Sequence, residues 1–324
     1  MGEPIRFLVC SDIHYASDLE KARINYEVHA VGNRLQKALV RMYRYYFWLR
    51  DPFAHNDLLR HVLNPSFEPD WVVANGDYSC DSAFIGVSDP AALQSARECL
   101  GKLRERFPGK VLGVFGDHEL GKMSLCGGRG GLRLKSLEVA QAELGLEPLW
   151  TRRFGRYVFL AVTSSLVAMP VFQRETLETE RESWWELRRQ HLHGIDAVLN
   201  ALGESDRVIL FCHDPTALPY LWESEALRRK AGQIERTIIG HLHSPIMLRQ
   251  SRILSGMPKI TFCGQAVRRM SSALARGKDW KHFNLLLCPS LAGLQLTRRG
   301  GYFLVEFDPE GRSEAKFELQ DIRW

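Results

Sequence analysis

The sequence predicts an α/β protein on three observations. Five short apolar runs, Ile5 to Cys10, Trp71 to Asn75, Val111 to Phe115, Val208 to Cys212 and Thr237 to Ile239, have the length and β-branched content of buried parallel strands. Helix-period stretches lie between several of them. Each run stops at a carboxylate or an imidazole: Asp12-Ile13-His14, Gly76-Asp77, Gly116-Asp117-His118-Glu119, His213 and Gly240-His241-Leu242-His243. Ligands of an open α/β sheet gather outside the carboxyl ends of its strands. These scattered segments are therefore expected to converge at one edge.

Taken in order, the first run leads through Asp12 and His14 into a basic segment and then Pro65 to Pro69. This reads as a helical insertion over residues 18–66 within a single domain spanning 1–324. Inside it Leu35, Leu39, Met42, Tyr46 and Leu49 recur at spacings of four and three, one stripe of a helix. Arg34, Lys37, Arg41 and Arg44 take the other side, and Tyr45, Phe47 and Trp48 widen the apolar surface. Two readings stay open: a helix packed on the core with a solvated basic face, or a cap touching an acyl chain or an anionic membrane surface through residues 21–61. A helix over Ala91 to Phe107 leads into the third run. The loop Gly121 to Gly131 contains Cys-Gly-Gly-Arg-Gly-Gly, whose amides either approach a phosphate or lie at the surface. Further helices are expected over Leu132 to Leu144 and Glu182 to Leu202, with a strand over Tyr157 to Thr163. Beyond His243, strand-like pieces at Lys259 to Cys263, Asn284 to Leu287, Tyr302 to Phe307 and Ala315 to Leu319 predict a second sheet, joined by Gly300-Gly301 and Pro309-Glu310-Gly311 turns.

An apolar content of 45% with 25% charged residues is that of a soluble globular protein. No apolar stretch approaches the length of a membrane span, and no export-leader pattern opens the chain. Asp12 and His14 also stand where a cleaved leader would remove them. The expected location is the cytoplasm, with membrane association through residues 21–61 left open. Seven cysteines without a Cys-x-x-Cys pair fit reduced thiols, not a disulfide framework or a zinc ribbon. The net charge of +5 resides wholly between Lys21 and His61, where eight Lys/Arg face three Asp/Glu. The balanced remainder, without a basic and aromatic track, argues against a nucleic-acid partner.

Asp12, His14, Asp77, Asp117, His213, His241 and His243 form a donor set suited to Mn, Fe or Zn better than to Mg or Ca. Two such cations, divalent or of mixed valence and roughly 3.5–4 Å apart, orient a phosphoryl group and generate hydroxide near neutral pH. That arrangement needs a carboxylate able to bridge, and it leaves His118 over as a candidate acid. The order Asp-x-His, Gly-Asp, Gly-Asp-His-Glu, His, Gly-His-x-His resembles the calcineurin-like metallophosphoesterases from Ile5 to Ser244.

The resemblance implies a two-sheet sandwich flanked by helices. It implies one metal on Asp12, His14, Asp77 and His243 and a second on Asp77, Asp117, His213 and His241, with Asp77 bridging. His118 would face the phosphate and protonate the leaving oxygen or stabilise the transition state. The implied reaction is hydrolysis of a phosphodiester, phosphomonoester or pyrophosphate by a hydroxide bridging the metals, without a covalent intermediate. A phosphorylated small molecule and a lipid-linked nucleotide, as in the UDP-2,3-diacylglucosamine pyrophosphatases, are both open as substrate. The rival reading is a metal-binding scaffold that performs no chemistry, against which the presence of His118 argues.

Two departures from the family pattern stand out. Asp117 occupies the position of an Asn, which removes one unit of positive charge from the cluster. A more highly charged metal such as Fe³⁺, or extra cations beside the substrate, is the expected compensation. Asp81 lies four residues after Asp77, whereas some family members place the Asp that orients the acid histidine three after. Asp81 and Glu119 are candidate supports for the site. Lys122 and Arg129 are candidate phosphate contacts. His191 and His193, on different faces of one helix, are left out, as are His29, His55 and His61.

Overall fold

The apolar runs do become strands, but they divide between two sheets. The computed structural model describes residues 3–262 and 264–324. Strands β1 (Ile5–Cys10), β2 (Trp71–Ala74) and β3 (Val111–Gly113) are parallel, while β5 (Tyr157–Val162), β6 (Arg207–Cys212) and β7 (Ile234–Ile239) form a second parallel set. With β4 (Leu149–Phe154), β8 (Leu285–Leu287), β9 (Arg299–Phe307) and β10 (Lys316–Arg323), the sheets have the orders β10-β9-β1-β2-β3 and β4-β5-β6-β7-β8.

Alternation along each strand explains the near-continuous apolar runs. Phe7 and Val9 of β1, with Phe307 of β9 beside them, turn towards the other sheet, meeting Phe159, Phe211 and Ile238, while Leu8 and Cys10 turn towards the helices. The Phe7 and Phe159 rings lie 4.5 Å apart at the centre of this interface. Both faces of the inner strands are thus buried, and neither face selects polar residues. The flanking helices include Pro90–Arg106, which starts on an Asp89 cap that accepts from Ala91 N and Ala92 N, and Leu134–Leu144, which stops at Gly145. The long helix runs Arg181–Asn200.

The strands beyond His243 do not build a sheet of their own. β8 extends the second sheet parallel to β7, whereas β9 and β10 pair antiparallel and dock on β1 in the first. The turn at Gly311 folds β10 back on β9, so β9 fills the free edge of β1 and β10 becomes the outer strand. Lys259 to Phe262 is irregular, with the Ile260 amide taken by Ser271 Oγ at 2.9 Å, and Cys263 lies outside the described residues. Strand β4, not expected from the sequence, is an edge strand whose Thr151-Arg152-Arg153 stretch lacks an apolar signal.

The connection from β1 to β2 is helical, with segments Asp18–Lys21, Tyr26–His29, Arg34–Tyr46 and Leu59–Leu63. Helix Arg34–Tyr46 packs by the face opposite to the one a core-facing stripe requires. Leu35, Leu39, Met42 and Tyr46 are exposed, whereas Val40 is buried with Val28 and Val31. The cause is Arg44, which turns inward and donates to Glu27 Oε2 at 2.8 Å, Leu49 O at 3.1 Å and Tyr26 Oη at 3.1 Å. Among the described residues no helix is long and apolar enough to cross a membrane.

Candidate metal centre

Where the strands end, the chain turns sharply at residues with ligating side chains. Asp12, His14, Asp77, His241 and His243 all adopt left-handed φ between 48° and 58°, which costs a non-glycine residue about 1–3 kcal/mol. Hydrogen bonds between neighbouring strand ends hold these turns: Asp12 N to Gly76 O (3.1 Å), His14 N to Asp77 O (3.0 Å) and Gly240 N to His213 O (2.9 Å). The motif glycines supply room. A Cβ on Gly240 would stand 2.1 Å from Ser11 Oγ and 2.5 Å from Asp12 Oδ2, and one on Gly116 would stand 2.2 Å from Asp77 Oδ1.

All seven side chains converge beyond the strand ends of the two sheets. His243 Nε2 lies 3.3 Å from Asp12 Oδ1 and 3.3 Å from His14 Nε2, forming one group. In a second group, His241 Nδ1 and His213 Nε2 lie 3.0 and 3.5 Å from Asp117 Oδ1. Asp77 Oδ2 stands between the groups, 3.2 Å from His213 Nε2 and 4.0 Å from His14 Nε2. Its Oδ1 accepts from His118 N at 3.0 Å.

The rings are oriented from behind. His213 Nδ1 donates to the Asn75 carbonyl at 2.6 Å and His14 Nδ1 to the Ser79 carbonyl at 3.2 Å. A carbonyl can only accept, so each ring keeps its Nδ1 proton there and turns Nε2, the atom a cation would take, towards the cluster. Asp77 Oδ2 and His213 Nε2 are buried without a hydrogen-bond partner. Burial works against the His213 imidazolium, yet Asp77, Asp12 and Asp117 hold its pKa well above the usual histidine range. Burial also pushes Asp12 up to about 6. Orphaned acceptors and an excess of negative charge in a mixed carboxylate and imidazole set fit bound transition-metal cations.

Glu119 supports the floor of this site: Oε2 accepts from Gly116 N (2.8 Å) and Asp77 N (3.0 Å), and Oε1 from Tyr78 N (2.8 Å). Burial, reinforced by Asp77, pushes its carboxyl up to about 8. Asp81 does not reach His118, whose Nδ1 is without a partner. It accepts instead from Gly86 N and Lys122 N, tying down the loop that carries Lys122. Lys122 Nζ pairs with Asp117 Oδ2 at 3.0 Å. Against the burial that opposes both charges, His241 and then Lys122 hold Asp117 well below the usual carboxylate range, and Asp117 with Asp77 holds Lys122 above the usual lysine range. A cation thus stands on the carboxylate that departs from the family pattern in the sequence reading. Asp214, 3.8 Å from His241 Nε2, was not singled out from the sequence, although it directly follows His213.

A family model described as calcineurin-like phosphoesterase matches residues 5–245, well over half of the chain. The chain belongs to the calcineurin-like phosphoesterases. It is accordingly a metal-dependent hydrolase of phosphoester bonds, and the family is dimetal-dependent. A dimetal phosphatase from Danio rerio is similar to it at 14% identity and a TM-score of 0.43, over 98% of this chain and 99% of that one. A phosphopantetheinyl hydrolase from Mycobacterium tuberculosis gives 18% identity and 0.38, over 76% and 85%. Both likenesses are low, and membership rests on the family model. No curated protein matches the chain.

A cavity of about 240 Å³ opens onto the cluster of the phosphoesterase. His14, His118, His241, His243 and Lys122 line its floor; Tyr26, Tyr43, Arg44 and Trp48 of the β1–β2 connection form one wall, and Met247 and Arg269 contribute to the other. Trp48 reaches the site itself, its ring 4.8 Å from that of His243. Arg129 does not line this cavity and is exposed. In the loop that carries Arg129, Gly127 packs on the Ala30 carbonyl, Gly130 on Phe84 and Gly131 on the Glu175 carbonyl, approaches that a Cβ would block. The excluded His191 is structural, its Nε2 accepting from Thr163 N at 3.1 Å.

Proposed function

We propose that the phosphoesterase holds two transition-metal ions and hydrolyses a phosphoester or pyrophosphate whose organic group lies against the aromatic wall of the cavity. Asp12, His14 and His243 would hold one ion, Asp117, His213 and His241 the other, and Asp77 both. The observation that carries this reading is Asp77 Oδ2, which stands without a hydrogen bond between two groups of donors at the floor of a cavity. Metal ions there supply Lewis acidity, acidifying water and neutralising phosphoryl charge.

The chain's own groups divide the remaining work. Asn75 and Ser79 carbonyls fix two rings, Ser11 Oγ donates to Asp12 at 2.6 Å, and Glu119 fixes the backbone that carries Asp77. His118 lines the cavity with Nε2 3.9 Å from Asp77 Oδ2, a position from which an N–H reaches the leaving oxygen. Lys122 adds a cation at the cavity floor while neutralising Asp117. Trp48 and Tyr43 receive the organic group, and the walls keep bulk water from it.

Metal analysis of anaerobically purified protein, with a panel of p-nitrophenyl phosphomonoesters, phosphodiesters and pyrophosphates under Mn²⁺, Fe²⁺ and Zn²⁺, tests this reading. Two metal ions per chain and turnover of at least one ester are expected. Two metal ions with no turnover across the panel would favour the scaffold. A single ion per chain at saturation would overturn the shared role of Asp77.

A further inference from the structure

We propose that both walls of the cavity mouth together form a docking surface for a membrane carrying anionic lipid. The first wall is helix Arg34–Tyr46. Its inner face brings Tyr43 and Arg44 into the cavity, and its outer face leaves Leu35 70% and Met42 52% exposed, with Leu39 and Tyr46 on the same stripe. The second wall is built from helices Pro245–Ile253 and Gln265–Leu274. Met247 and Arg269 from these helices line the same cavity, while Ile253 is 72% and Phe262 87% exposed, alongside Ile246 and Met270. Water-soluble surfaces rarely gather so many large apolar side chains without a partner.

Charge selects that partner. Residues 28–50 contain five Lys/Arg and no Asp or Glu, and residues 245–278 contain seven and again none. Arg44 and Arg269 are engaged inside, with Glu27 and Glu175, and Arg276 pairs with Glu223. Arg34, Lys37, Arg41 and Arg50 make no ion pair among the described residues. The same holds for Arg249, Arg252, Lys259, Arg268 and Lys278 on the second wall. An apolar stripe flanked by unpaired cations and free of carboxylates matches the boundary where acyl chains meet anionic headgroups. A nucleic-acid partner would leave the aliphatic stripe unmatched, and a protein partner would need an apolar face rimmed by carboxylates opposite both walls. Docking by both walls turns the cavity mouth towards the bilayer, so that a phosphoryl group carried by a lipid meets the floor without leaving the membrane. Docking itself does not depend on the catalytic reading.

Flotation of the full-length protein tests the surface, with phosphatidylcholine vesicles compared against vesicles in which about a third of the lipid is phosphatidylglycerol. Binding is expected to the anionic vesicles alone and to weaken with salt. The variants Leu39→Glu/Met42→Glu and Ile253→Glu/Phe262→Glu should each bind about tenfold more weakly. Thermal midpoints and turnover of a soluble p-nitrophenyl ester should stay unchanged, because these side chains touch neither core nor cavity. Failure of the wild type to float with anionic vesicles would overturn the proposal. So would undiminished binding by both variants, self-association of the wild type that Leu39→Glu/Met42→Glu abolishes without any lipid binding, or binding to DNA in place of vesicles. Vesicle binding by a protein inert on every ester would leave docking standing and remove only the catalytic reading.

Discussion

At the cavity floor, Asp12, Asp77 and His213 are fully buried, and each is tied to the backbone of a neighbouring strand end. In the wall facing them, helix Arg34–Tyr46 is held by local contacts, among them the Arg44–Glu27 pair, the small group of Val28, Val31 and Val40, and the junction through Phe47 and Trp48, whose carbonyls accept from Leu296 N and Gln295 N. Sheet geometry places the floor, so its residues have little freedom to move separately. A few local contacts place the wall, so its position can change while the floor stays intact. On the proposed reading, reaction class belongs to the floor, and access and substrate choice belong to the wall.

The largest effect expected from separating the two is at His118, which lines the cavity and lies outside both donor groups. His118→Ala should lower kcat by on the order of 10³-fold while the protein still retains two metal ions per chain. Loss of metal in parallel with rate would instead make His118 a metal ligand, in the group it forms with His14 and Asp77. On the wall side, Arg44→Met leaves the Glu27 carboxylate desolvated and unpaired, and should cost about 3 kcal/mol of stability in urea unfolding. The double variant Glu27→Gln/Arg44→Met should cost less than Arg44→Met alone, with metal content unchanged in both. A fall in metal content would show that wall and floor move together.

Acid distinguishes the site from the scaffold beneath it. Burial lowers His191 from 6.5 to about 4, and its neutral Nε2 accepts from Thr163 N just past the end of β5. The unfolded chain therefore binds a proton that the fold refuses between these values, so stability is full above pH 6.5 and drains as pH falls towards 4. Between pH 7 and pH 5 the contribution should fall by about 2 kcal/mol. His191→Gln should flatten that part of the pH dependence in thermal unfolding. An unchanged slope would assign the acid sensitivity to the floor.

Legibility in the sequence follows the same division. The floor was readable because strand ends combine an apolar run, a glycine and a ligating side chain, and the glycines are forced by contacts as close as that of Gly240 with Ser11. A two-sheet sandwich was expected from family resemblance, but the division of the five runs between the sheets was not, since an apolar run does not state which sheet it joins. β4 was hidden because an edge strand tolerates Arg152 and Arg153. The stripe of Leu35, Leu39, Met42 and Tyr46 was visible, but its direction was not. An internal partner for Arg44, supplied by Glu27, decided the facing of the helix, and periodicity is the same for either facing. Asp81 and Arg129 were placed by proximity in sequence, whereas backbone amides at Gly86 and Lys122 claim the first, and the second sits in a loop packed through its glycines.

The smallest effect expected bears on the one floor residue that departs from the family, where Asp117 and Lys122 act as a pair. Asp117→Asn removes an anionic donor and leaves the Lys122 ammonium unpaired beside bound cations, so metal affinity should fall. Lys122→Met leaves the carboxylate uncompensated, so metal affinity should rise while the site attracts an anionic ester less. Each single variant should lower kcat/KM at metal saturation by about tenfold, or about 1.4 kcal/mol. The double variant should come closer to the parent than the two losses combined, with a coupling of about 0.5–3 kcal/mol. Metal titration and ester kinetics on the four proteins of this cycle measure both quantities. Strict additivity would mean that Lys122 serves the substrate alone and that the extra charge of Asp117 is balanced by the metals themselves.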